Sequence, residues 1–116
     1  MSVKIYNELG YIEFSEELIA KLAGVATTEC YGVVGMASKR ATDGIWELLK
    51  KDQLNKGVKV IINNDEVIID LFIIVEYGTK IPVIAENIIQ KVRYTLENLT
   101  GIKVSKVNVY VQDIRV

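Results

Sequence analysis

The stretch EVIIDLFIIVEYG, from Glu66 to Gly78, constrains the fold more than any other part of this chain. Between Val67 and Val75 every residue is apolar except Asp70. Side chains alternate across a strand. Val67, Ile69, Leu71, Ile73 and Val75 therefore share one face, and Ile68, Asp70, Phe72 and Ile74 share the other. A strand that is greasy on both sides belongs in the middle of a sheet and has to be covered twice. Burying Ile68, Phe72 and Ile74 would stabilise by roughly 1.5–3 kcal/mol each, and leaving all three in water would create a sticky patch.

The rest of the chain supplies elements to surround that strand. GYIEF, Gly10 to Phe14, reads as a short strand. Ser15 follows as a helix N-cap, with Glu16 and Glu17 in the first turn, where the helix dipole favours negative charge. That helix runs to about Cys30, with Leu18, Leu22, Val25 and Ala26 expected on its core face. VVGM follows as a short extended piece. The polar segment from Ser38 to Gly57 is expected to hold a short amphipathic helix near Ile45 to Lys51, with Ile45, Leu48 and Leu49 on one side. KVIINNDEVIID reads as two strands around a turn at Asn63–Asn64–Asp65, because Asn and Asp tolerate left-handed backbone. A second long helix starts near Ile81–Pro82, repeats Ile81, Ala85, Ile88, Val92 and Leu99 along a stripe, and stops at Gly101. A last strand spans Lys103 to Gln112. The expectation is a single α+β domain over residues 1–116. Two long helices pack on one face of a mixed, mainly antiparallel sheet of about four to five strands, with one short helix besides.

The composition narrows the chemistry. Histidine is absent, which removes the commonest general base and the commonest metal ligand. The single Cys30 excludes an intrachain disulfide, fits a reducing compartment, and is expected to pack near a helix C-terminus, where the dipole disfavours a thiolate. Net charge is −1, so no broad pull toward nucleic acid is expected. The apolar runs are far shorter than the roughly twenty residues of a spanning helix, and the N-terminus has no signal-peptide pattern. No direct membrane insertion is expected. GVVG, Gly32 to Gly35, has the spacing of a KH-domain backbone clamp, but its Val-Val filling cannot meet a phosphate, and a helix-to-strand turn is the better reading. Lys50, Lys51, Lys56 and Lys59 read as a solvated face or as a site for an anionic partner. Glu16, Glu17, Asp65 and Glu66 come as adjacent pairs that do not converge on one point. No catalytic residue, cofactor or metal is assigned.

The ordered set of motifs resembles the Gram-positive alkaline shock protein family. The shared pattern falls on Gly10, Ser15, Glu29, Gly32, Val33, Gly57, Val58, Val60, Asp70, Leu71, Tyr77, Gly78, Ile81, Thr100, Gly101, Val107, Asn108 and Val109, across nearly the whole chain. The likeness is to the shorter members without charged tails. It implies a non-enzymatic, cytoplasmic interaction or scaffold protein linked to cell-envelope homeostasis or stress response. It implies self-association into a homo-oligomer, and membrane association through a small membrane-protein partner. The alternative is an accessory or regulatory subunit for a fatty-acid or lipid-metabolic enzyme.

These expectations meet on the second face of the central strand. The neighbouring strands offer Lys59 and Ile61, or Asn108, Tyr110 and Gln112, to that side. Either the short helix around Ile45 to Leu49 folds over it, or a second subunit or partner does. The interface would comprise Ile68, Asp70, Phe72, Ile74 and Tyr110. Trp46 serves there as an anchor or packs its own helix onto the sheet. Asp70, costly if unpaired among apolar residues, is expected to bond to Lys59, to Tyr110, or to a nearby hydroxyl or amide.

Overall fold

The computed structural model describes residues 2–39, 46–64 and 66–116, with all their side chains except those of Lys39, Trp46, Lys51 and Asp52. The elements are β1 (Ser2–Asn7), β2 (Gly10–Ser15), α1 (Glu16–Thr28), β3 (Val33–Lys39), β4 (Trp46–Leu48), a 3-10 helix (Lys51–Gly57), β5 (Val58–Asn63), β6 (Glu66–Glu76), α2 (Ile81–Thr100) and β7 (Val104–Arg115). The apolar run is β6, and it is the spine of a five-stranded mixed sheet. β7 lies parallel to it from Val67↔Val104 to Glu76↔Arg115. The opposite side of β6 is shared end to end. β5 pairs antiparallel with its first half, from Asn63↔Glu66 to Val58↔Leu71, and β3 pairs antiparallel with its second half, from Met36↔Ile73 to Val33↔Val75. β4 extends the sheet beyond β3. β1 and β2 form a separate antiparallel hairpin, whose Val3, Ile5 and Phe14 pack against the core. The fold is α+β, and among the described residues the main sheet has three antiparallel pairings and one parallel pairing.

Local chemistry sets the element ends as expected. The Ser15 hydroxyl accepts the Leu18 backbone N–H at 3.1 Å and caps α1. Asn64 turns the β5–β6 hairpin with φ of 56°, in the left-handed region that Asn tolerates. Gly101 closes α2 at φ of 77°, its N–H bonded to the Glu97 carbonyl. GVVG is a turn followed by strand. Gly32 sits at φ of 86° just past α1, and Gly35 lies within β3.

Two expectations need correction. The segment near Ile45 to Lys51 is not a short helix. Ile45 lies outside the described residues, Trp46–Leu48 is strand, and the helical turn comes later, over Lys51–Gly57. The open edge of β3 wins this segment. Ala37 pairs with Leu48, and the Leu49 N–H donates to the Met36 carbonyl at 2.8 Å. Leu48 and Leu49 thus point to opposite sides, Leu48 exposed and Leu49 buried, as strand neighbours must.

The helix stripes hold in part: Leu22, Ala26, Ile81, Ile88 and Val92 face the core as expected, but Leu18, Val25 and Leu99 do not. α1 buries Ile19, Ala20, Ala23, Gly24, Ala26 and Thr27, while Leu18 and Val25 are exposed. Close approach rather than side-chain size selects that face. A Cβ built on Gly24 would stand 3.1 Å from the Leu54 Cβ of the 3-10 helix. α2 buries Ile84, Ile88, Val92, Leu96 and Thr100, and Leu99 is exposed. Thr100 can end an apolar stripe because its hydroxyl donates to the Leu96 carbonyl and accepts the Ile102 N–H. A third difference is β1, Ser2–Asn7, an additional strand that pairs with β2.

Both helices join the first face of β6 in one core, which contains Ile19, Ala23, Met36, Val67, Ile69, Leu71, Ile73, Val75, Ile88, Val92 and Leu96.

Candidate interaction surface

The two faces of β6 have different fates. Val67, Ile69, Leu71, Ile73 and Val75 are all sealed under α1 and α2. The second face is divided along its length. At the β3 end, Ile74 is 2% exposed and offers nothing to a partner. Its cross-strand neighbour is Gly35, and the Leu48 Cδ1 lies 2.7 Å from where a Cβ on Gly35 would stand. The missing side chain leaves room for Leu48 over Gly35, the residue that faces Ile74. The chain thus covers one end of the face itself, with a strand rather than the expected helix.

Toward β5 and β7 the cover stops. Ile61, Ile68 and Phe72 are only partly buried, and Tyr110 is 43% exposed. Phe72 and Tyr110, paired across β6 and β7, stack with centroids 4.9 Å apart and planes at 13°. This is one of the favourable aromatic arrangements, and it leaves apolar ring surface partly exposed. Of the six expected interface residues, the structure brings together Ile68, Asp70, Phe72 and Tyr110, and adds Ile61 opposite Ile68. The Trp46 side chain lies outside the described part of the structure.

Asp70 sits in the centre of this patch at 8% exposure. Asn108, directly across in β7, donates its amide to the Asp70 Oδ1 at 2.9 Å, and Lys59 is the cross-strand neighbour in β5. The amide is thus the partner realised among those the sequence allowed. Register, invisible in the sequence, decides this, since the two residues are 38 positions apart. The apolar groups on either side of the buried carboxylate form the exposed part of the surface.

Among the described residues no three His, Cys, Asp or Glu side chains converge on a point where a metal would bind. Cys30 donates to the Ala26 carbonyl across 3.6 Å. Burial pushes its thiol above the ordinary value, the Lys91 ammonium pulls it back in part, and the Glu29 carboxylate adds to the rise. Such a thiol is a poor nucleophile at neutral pH. A cleft of about 370 Å³ lies between β1 and the Gly101–Lys103 turn, lined also by Ile62, Asn64 and Val67, and it is open to solvent. Among the described residues no helix is long and apolar enough to cross a membrane.

Comparison with known proteins identifies the family. No solved structure matches the chain significantly. An uncharacterized protein of Bacillus subtilis (strain 168), YloU, is 45% identical over 117 residues, covering all of this chain and 98% of that protein. A second from the same organism, YqhY, is 35% identical over 109 residues, covering 94% of this chain and 80% of that one. A stress response regulator gls24 homolog of Streptococcus pyogenes (serotype M6) is 27% identical over 106 residues, covering 91% of this chain and 59% of that protein. The model of the alkaline shock protein 23 family, described by a cell envelope-related function, matches residues 4–116. With its motifs and that match in agreement, the chain belongs to the alkaline shock protein family that its sequence resembles.

Proposed function

We propose that this chain is a non-enzymatic interaction protein serving the cell envelope or its stress response, and that it works by self-association and partner binding through the open half of the second sheet face. One observation carries the reading. Ile61, Ile68, Phe72 and Tyr110 form a partly exposed apolar patch whose single buried carboxylate already has its hydrogen bond. A partner can cover such a patch without leaving a buried charge unpaired, which would cost several kcal/mol. The family's envelope-related description and the stress-regulator name of the streptococcal relative support the setting. In this reading the protein is cytoplasmic, and a membrane-protein partner holds it at the envelope.

The test is the mass of the pure protein in solution, by light scattering, before and after Phe72→Glu. Replacement is expected to lower the mass of the oligomer with the circular dichroism of the fold retained. An oligomer unchanged in mass by this substitution would refute the face as the contact.

A further inference from the structure

We propose that the free outer edge of β7 pairs antiparallel with β7 of a second copy about a two-fold axis near Val109, joining two sheets into one. This rests on the reading of the chain as self-associating, and it names a contact other than the open face. Among the described residues β7, Val104–Arg115, pairs with no strand but β6; α2 side chains engage only its start, where Arg93 donates to the Ser105 carbonyl and Glu97 accepts the Val104 N–H, each at 3.0 Å, and the stretch from Lys106 onward has no strand on its other side. Long open edges invite pairing, and proteins usually blunt them with charge. Here the charges are self-complementary. Lys106 is paired with Ile68 and Asp113 with Ile74, so both project on the second face. Lys106 has no ion-pair partner among the described residues, and Asp113 accepts only its neighbour's Ile114 N–H there. The two lie about 23 Å apart along an extended strand, too far to meet within one chain.

Registers between antiparallel copies are limited by the requirement that facing residues share a side. With Val109 on the axis, Asn108 faces Tyr110 of the second copy and Val107 faces Val111. The register of β7 against β6 slips between Val111 and Asp113, which leaves Gln112 as an extra residue. Carrying that bulge into the new ladder, two residues against one, sets Lys106 of each copy across from Asp113 of the other, on the same face. Two ion pairs then flank the axis, and the Phe72–Tyr110 surfaces of both copies lie side by side as one larger docking face. The occupant this edge favours is therefore a second copy, because a foreign strand would have to supply both charges at the right spacing.

Charge exchange tests it. Lys106→Asp and Asp113→Lys are each expected to weaken dimerisation roughly tenfold, through lost pairs and new repulsion, with added salt weakening the wild type. The double variant K106D/D113K is expected to regain wild-type mass. In a Cys30→Ala background, Asn108→Cys mixed with Tyr110→Cys is expected to form a disulfide-linked heterodimer, since facing strand neighbours lie within bridging distance while stacked sheet faces are about 10 Å apart. A wild type that stays monomeric at millimolar concentration overturns the proposal. So does a double variant that is not rescued, or a dimer abolished by Phe72→Glu alone and indifferent to the charge exchange, which would leave the open face as the sole contact.

Discussion

Neighbouring residues of β6 should respond in opposite ways to the same substitution. Ile73 is sealed on the helix-covered face, and Phe72 is partly exposed on the other. Ile73→Glu loses the burial of a large aliphatic, about 1.5–3 kcal/mol. It also places a carboxylate in the buried apolar core beside Met36, which costs several kcal/mol more if the charge is unpaired. The total is comparable with the whole stability of a small domain, roughly 5–15 kcal/mol. Phe72→Glu loses part of an aromatic burial and the stack on Tyr110, the latter about 0.5–1.5 kcal/mol. Its new carboxylate can reach water, so the sum is about 2–3 kcal/mol. Urea titration followed by far-UV circular dichroism separates the two. Ile73→Glu should be unfolded or nearly so in buffer. Phe72→Glu should melt cooperatively at a lower midpoint with an unchanged slope. If Phe72→Glu unfolds the protein as completely as Ile73→Glu, the second face is core rather than surface, and the argument for a partner fails.

Gly32→Ala should destabilise by about 2–4 kcal/mol, combining left-handed strain with overpacking. The backbone there has φ of +86°, and the added methyl would collide with the Ile84 Cδ1; a melt within error of wild type would show that α2 does not dock there. Cys30 should react with iodoacetamide more slowly at pH 7 than an unstructured cysteine, because its raised pKa keeps the thiol protonated. Protons are held more tightly in the folded state, so this group's contribution to stability is fully present below the ordinary thiol pKa and is lost as pH rises through the folded value. Cys30→Ala should accordingly flatten part of any alkaline decline in melting temperature.

What was legible in the sequence was local. The Ser15 cap, the Asn64 turn and the Gly101 stop each depend on groups within four residues. Alternation over Val67–Val75 showed which residues share a face. The patterns that failed depended on partners elsewhere. Leu18 and Val25 look like core residues at helical spacing, but the approach of Leu54 to Gly24 turned the small face of α1 inward. Leu48 and Leu49 fit a short helix until the unpaired edge of β3 claimed them. The interface residues divided likewise. Ile68, Asp70, Phe72 and Tyr110 meet on one surface, whereas Ile74 is buried at the end of the face where Leu48 lies over the bare backbone of Gly35.

By itself the sequence determined that one strand is apolar on both sides, that two amphipathic helices exist, and that no histidine serves any chemistry, because these follow from side-chain alternation, caps and composition. Only the tertiary structure decided how the second face is shared between the chain and solvent, and that Asn108 meets Asp70. Those outcomes are matters of register, set when β6 pairs with β3, β5 and β7 and when backbones approach closely enough to need glycine, and no short-range pattern encodes them.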